Sequence, residues 1–212
     1  MTTDTAPNER SISSPEWWTD RRTKSAGVGG IVGGVGLLAL SFGRTGGGFE
    51  LGAVGTLYPV GYVLLAVALL AANARYGCDY GRRGRTVATV FLVSLSSYAA
   101  SIIIVLASRV VFGSPFVPVG VLIGIAYVAT RLFGSLYGVV LWRRTAVNGL
   151  TAALFVSIVP AIFLLGPLAA VGYPGVWVES PLYLASIALG YELLTAERET
   201  VEDGGQAGTH VR

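Results

Sequence analysis

The sequence has almost none of the side chains from which most active sites are built. It contains one lysine, Lys24, one histidine, His210, and one cysteine, Cys78. A single cysteine cannot close an intrachain disulfide. One histidine in a polar tail excludes histidine-cluster metal and haem sites, so neither a metal nor a cofactor is expected. Lys24 precedes the first apolar run, which leaves no mid-membrane lysine to form a Schiff base with retinal. Charge of either sign is scarce as well. Charged residues make up 13% of the chain, about half the ~25% of a soluble domain. The net charge of +3 is carried at the ends of apolar runs rather than on one face, so no nucleic-acid partner is expected. Catalytic signatures are missing too. There is no paired intramembrane aspartate, no HExxH and no Walker A loop. The glycine-flanked Ser135 in FGSLYG lacks a histidine base and is no nucleophile elbow. The chain is not read as an enzyme.

What the sequence does hold is apolar length. Hydrophobic residues make up 53%. A helix needs ~20 apolar residues to cross ~30 Å of hydrocarbon. Runs of that kind fall at 26–43, 51–74, 87–108, 117–142, 149–171 and 181–196, which predicts an all-α bundle of about six transmembrane helices. Arginines mark one side of it. Arg75, Arg82, Arg83 and Arg85 follow run two, Arg143 and Arg144 follow run four, and Arg10, Arg21, Arg22 and Lys24 precede run one. Basic loops stay cytoplasmic, so both termini are expected inside, in a multi-pass protein of the cell membrane. The chain then divides into a cytoplasmic tail at 1–25, a transmembrane domain at 26–196 and an acidic, disordered cytoplasmic tail at 197–212. Ser14-Pro15-Glu16 reads as a helix start, and with Trp17 and Trp18 it predicts a short interfacial helix. Ser180-Pro181 reads as the start of the last helix.

Lipid supplies no hydrophobic drive between helices, so close packing depends on small residues. Gly29 with Gly33, Gly30 with Gly34, Gly120 with Gly124, and Gly134 with Gly138 stand four apart and are expected at helix contacts. Those contacts are either internal or with a second membrane protein or copy. Pro59, Pro160 and Pro167 each free the carbonyl four residues earlier and predict kinks. RRGRTVATVFLVS (82–94) and RRTAVNGLTAALFVS (143–157) form a faint repeat, explained equally by two positive-inside starts.

Arg131 sits near the centre of run four. Such a charge is costly in hydrocarbon and faces the bundle or a wet cavity. Its helical neighbours Gly124, Tyr127, Ser135 and Gly138 form a small, polar stripe. Run three carries a matching stripe with Ser97, Tyr98 and Ser101 at the same depth. The expectation is that Arg131 meets that stripe, with Glu192 its best acidic candidate and Glu179 near the outer surface. Where no acid pairs with it, an anion or a solute carboxylate completes the site. The leading functional reading is a channel or transporter for a small, anionic solute passing Arg131, Tyr127, Ser135, Ser97, Tyr98, Ser101 and Glu192. The alternative is a non-catalytic membrane subunit that binds another membrane protein through its glycine faces.

Overall fold

The structure is a computed structural model that describes residues 19–42, 53–113, 117–144, 147–172 and 176–195. The described residues form seven helices and no strand: α1 (Asp20–Phe42), α2 (Ala53–Tyr76), α3 (Gly81–Phe112), α4 (Val117–Arg144), α5 (Gly149–Val156), α6 (Ile158–Ala170) and α7 (Val176–Thr195). Four helices, α1 to α4, are long and apolar enough to cross a membrane, and the bent pair α5–α6 makes a fifth candidate. Their outward faces carry large apolar side chains such as Val32, Val63, Ile104, Ile125, Val128 and Phe163, all exposed. In water such a surface would aggregate. It suits hydrocarbon, so the fold is compatible with a multi-pass membrane protein. The expected interfacial helix and the acidic tail lie outside the described residues.

The helices close into a ring. α1 packs on α2 and α7, α3 on α2 and α4, and α5 on α4 and α7, while α6 packs on α7. Contacts between neighbouring helices fix an up-and-down order. Ser41 at the end of α1 meets Tyr58 near the start of α2. Tyr80, just before α3, meets Tyr137 late in α4. Glu192 near the end of α7 meets Asn148 at the start of α5. The starts of α2, α4 and α7 therefore share one end, here the upper end. The starts of α1, α3 and α5, with the arginine-rich connections, share the lower end.

α1 explains its own glycines. A Cβ at Gly30 would lie 2.9 Å from that of Ala68 and 3.3 Å from the Ser186 carbonyl, and one at Gly34 would lie 2.8 Å from the Tyr183 carbonyl. Gly33 in turn admits the backbone of Gly61, whose carbonyl would sit 2.9 Å from an added Cβ. Gly29 is looser, with Leu64 at 3.6 Å. So the glycine faces of α1 are spent within the chain, on α2 and α7. Gly134 and Gly138 behave alike: Phe91 and Ile158 crowd the first, and Ala152, Phe155 and Val156 the second. Gly120 and Gly124 do not follow the expectation. No described residue lies within 4 Å of a Cβ at either. α4 turns these glycines, with Val121, Ile125 and Val128, outward. Spacing marks a small face but does not say whether a neighbour reaches it.

Run five is broken. α5 and α6 meet at 48° around Ser157. Proline at 160 has no N–H, so the Val156 carbonyl lacks its helical donor. Ser135 on α4 supplies one, with its Oγ 2.6 Å from that carbonyl. Gly138, one turn on, leaves room for the break to approach α4. The same solution recurs in α7, where Pro181 lies inside the helix rather than at its start. The carbonyl it frees, that of Trp177, accepts from Ser180 Oγ at 3.0 Å. α7 thus begins at Val176, not at 181, and that shift brings Glu179 into its first turn. The faint repeat fails for a similar reason. Its first copy lies wholly within α3, whereas the second crosses from α4 through a connection into α5.

Candidate functional site

Three pairs of residues spaced four apart build the site. A spacing of four puts two side chains on one face of a helix, one turn apart. Tyr58 and Tyr62 lie on α2, Tyr127 and Arg131 on α4, and Glu179 and Tyr183 on α7. All three helices start at the upper end, and helical side chains lean toward the start of their helix. Arg131 therefore reaches from mid-bundle toward the upper end, where Glu179 waits in the first turn of α7. Tyr98 of α3 closes the fourth side.

The geometry is that of a cage around one guanidinium. The Arg131 side chain is 2% exposed, and its Nη2 lies 3.5 Å from Glu179 Oε1. Its Cζ stands 4.7 Å from the centre of the Tyr127 ring, within the range of a cation–π contact. Tyr98 stacks between Tyr127 and Tyr62, at 5.8 Å and 4.9 Å between ring centres. Glu179 accepts a short hydrogen bond from the Tyr183 hydroxyl through its other oxygen. That commits the Tyr183 proton, so Tyr62 donates to the Tyr183 oxygen over 3.0 Å. Tyr58 lies 3.4 Å from the same oxygen and 2.6 Å from Ser41 Oγ. A chain of hydroxyls thus runs from the end of α1 to the carboxylate.

The electrostatics are unequal. Glu179 has an ion pair, a hydrogen bond and 16% exposure. Arg131 has the ion pair and the ring face, but Nε, Nη1 and Nη2 are all buried without a hydrogen-bond partner among the described residues. A guanidinium carries five N–H donors. Leaving buried charged donors unbonded costs several kcal/mol in general. The arrangement chemically suits an acceptor with two oxygens in one plane, which a guanidinium fork grips best.

Below the cage, Leu65, Leu69, Phe91, Leu95, Phe155 and Leu182, with Ser186, meet around a space of about 10 Å³, no more than one water needs. Its walls are mainly apolar, and the Ser186 hydroxyl is spent on the Leu182 carbonyl, so the space does not suit a polar solute.

Several expectations land elsewhere. Glu192 does not pair with Arg131. It accepts from Asn148 N at 2.9 Å and from Thr151 Oγ1 at 2.7 Å, and Asn148 in turn caps α5 through its side chain. Glu179 and Glu192 stand ~20 Å apart along α7 at 1.5 Å per residue, so one of them at most can meet Arg131. Ser101 donates to the Ser97 carbonyl at 2.8 Å, the usual fate of a mid-helix serine. Neither serine hydrogen-bonds to Arg131. Ser135 serves the broken helix, as described above. Of the expected group, Tyr127 and Tyr98 join Arg131 in the cage. The sequence reading missed Tyr58, Tyr62 and Tyr183, and it set Glu179 aside near the outer surface in favour of Glu192. Their signal was present, since each pair stands four apart near the upper end of its helix. No protein-family profile, no curated protein and no solved structure matches the chain.

Proposed function

We propose that this is a protein of the cell membrane that carries a small anionic solute, with the Arg131 cage as its binding site. In this reading α7 completes six spans, and the arginine-rich lower end faces the cytoplasm. The cage then faces outward. The observation that carries the proposal is the buried Arg131, a charge with unbonded donors on a membrane helix. Charges at such depth mark solute or ion pathways more often than fold stability. The narrow, mainly apolar space beneath the cage favours a carrier over an open channel, because a channel needs continuous wetting. The break at Ser157 gives a discontinuous helix beside α4, the kind of element on which alternating access is built.

The test is anion flux into liposomes by wild type, Arg131→Leu and Arg131→Lys. The lysine variant keeps the charge and loses the planar fork. Both variants should lose flux while melting like the wild type. Full flux by Arg131→Leu ends the proposal. Orientation is read separately from the exposed Cys78 at the lower end. An impermeant thiol reagent added outside intact cells should leave it unlabelled.

A second reading rests on a different observation. Gly120 and Gly124 face outward with open space above them. A helix of another membrane protein, or of a second copy, fits such a face closely. Co-purification of a fixed partner that Gly124→Leu abolishes, without loss of flux activity, supports that role.

A further inference from the structure

This inference rests on the carrier reading and adds the solute's chemical class and its competitor. We propose that Glu179 is a tethered stand-in for the solute, holding on Arg131 the place that a solute carboxylate takes.

Four observations converge. Glu179 meets Arg131 at 3.5 Å and makes no hydrogen bond to it. A free carboxylate on a guanidinium closes to ~2.7–2.9 Å, with two parallel bonds. The glutamate falls short because its backbone is fixed in the first turn of α7 and its other oxygen is held by Tyr183. An untethered carboxylate has neither restraint and can form the fork. Next, the two partners differ in access: Glu179 is 16% exposed and Arg131 2%. Glu179 is the more accessible of the two and therefore lies nearer the way in. Third, the donors it would leave behind suit a second oxygen. The Tyr183 hydroxyl, with Tyr62 3.0 Å behind it, is already aimed at a carboxylate. Last, charge limits the occupancy. Arg131 is the one cation among the residues that form the cage, so one negative charge balances it. A solute anion bound beside an undisplaced Glu179 would place two negative charges on one buried cation. A planar monocarboxylate meets these conditions. A halide is a single atom and cannot offer the fork two acceptors in one plane, and a phosphate dianion would need a second cation.

The experiment is equilibrium binding in detergent, with acetate, chloride and phosphate as probes, to wild type, Glu179→Gln, Glu179→Asp and Arg131→Leu. Melting temperatures are read alongside. Removing the competitor's charge should tighten acetate binding by at least about tenfold in Glu179→Gln, and acetate should raise that variant's melting temperature. Glu179→Asp draws the carboxylate back by one methylene and keeps its charge, so it should show a smaller gain. Arg131→Leu should bind no acetate. Equal or weaker acetate binding by Glu179→Gln overturns the proposal and makes Glu179 part of the binding site. Should that variant fail to fold, Glu179→Asp decides, and no gain there overturns it equally. Chloride or phosphate bound as tightly as acetate by the wild type overturns the carboxylate assignment and leaves the cage an anion site. If neither the wild type nor a folded Glu179 variant binds any of the three probes, the anion reading of the cage fails with it.

Discussion

The upper and lower halves of the bundle use the same few residue types to opposite effect. Each half buries tyrosines, and each places one glutamate of α7 against a neighbouring helix. In the lower half the polar groups mostly close on one another. Tyr80 and Tyr137 share a 2.7 Å hydrogen bond, and Phe91 and Phe155 pack on the Tyr137 ring at 5.6 Å and 5.4 Å between centres. Tyr80 lies between α2 and α3, and burial above all holds its phenol well above the ordinary range, so it stays a neutral donor. Glu192 accepts from a backbone N–H and a threonine hydroxyl. A loose end there is Asn73 Oδ1, buried with no hydrogen-bond partner among the described residues. In the upper half the loose end is a whole guanidinium. Glu192 meets neutral hydrogen-bond donors, whereas Glu179 also faces the Arg131 charge at 3.5 Å. In the proposed reading Glu179 is the one that is exchanged.

That contrast can be broken most directly at the ion pair. Glu179→Ala removes one partner and leaves the Arg131 charge buried, which in general costs about 3–5 kcal/mol. Denaturant titration in detergent should show such a loss, and adding Arg131→Leu to the same chain should recover most of it. Arg131→Leu alone should change stability less, because the Glu179 it leaves behind is partly exposed and keeps its Tyr183 hydrogen bond. A Glu179→Ala variant as stable as the wild type would mean that water already solvates Arg131.

Next in size is the broken helix. Ser135→Ala strips the Val156 carbonyl of its donor, and a buried polar group left unbonded costs about 1–3 kcal/mol. Thermal melts should register that loss, with anion binding unchanged. Altered binding would return Ser135 to the site. Tyr137→Phe tests the lower cluster. It removes the shared hydrogen bond with Tyr80 while keeping the ring packing, so it should cost about 1 kcal/mol. A larger fall in flux than in stability would show the lower half to be functional as well. The smallest effect is expected at the open glycine. Gly124→Leu meets nothing within 4 Å and should stay within about 0.5 kcal/mol of the wild type. Gly34→Leu would collide with the Tyr183 carbonyl and should be far more disruptive. Similar behaviour of the two would refute the packing described for α1.

The sequence by itself determined that the described chain is helical and apolar enough to suit a membrane, and roughly where most of its helices lie. Apolar runs of span length require helices, because hydrocarbon leaves backbone groups no other partner. It also determined that Arg131 turns inward, since its stripe of Tyr127, Ser135 and Gly138 is small and polar. What it could not fix was which acid Arg131 meets. Glu179 and Glu192 lie on one helix, and the choice hangs on where α7 begins and how deep it stands beside α4. Both depend on tertiary contacts: the close seating of α1 on α7 through Gly30 and Gly34, and the bend at Ser157 that shapes α5 against α4 and α7. Periodicity gives the face of each helix on its own axis. Axial offset and neighbour identity arise only when the helices are assembled. For the same reason Gly33 and Gly124 look alike in the sequence, yet one is filled by α2 and the other faces outward.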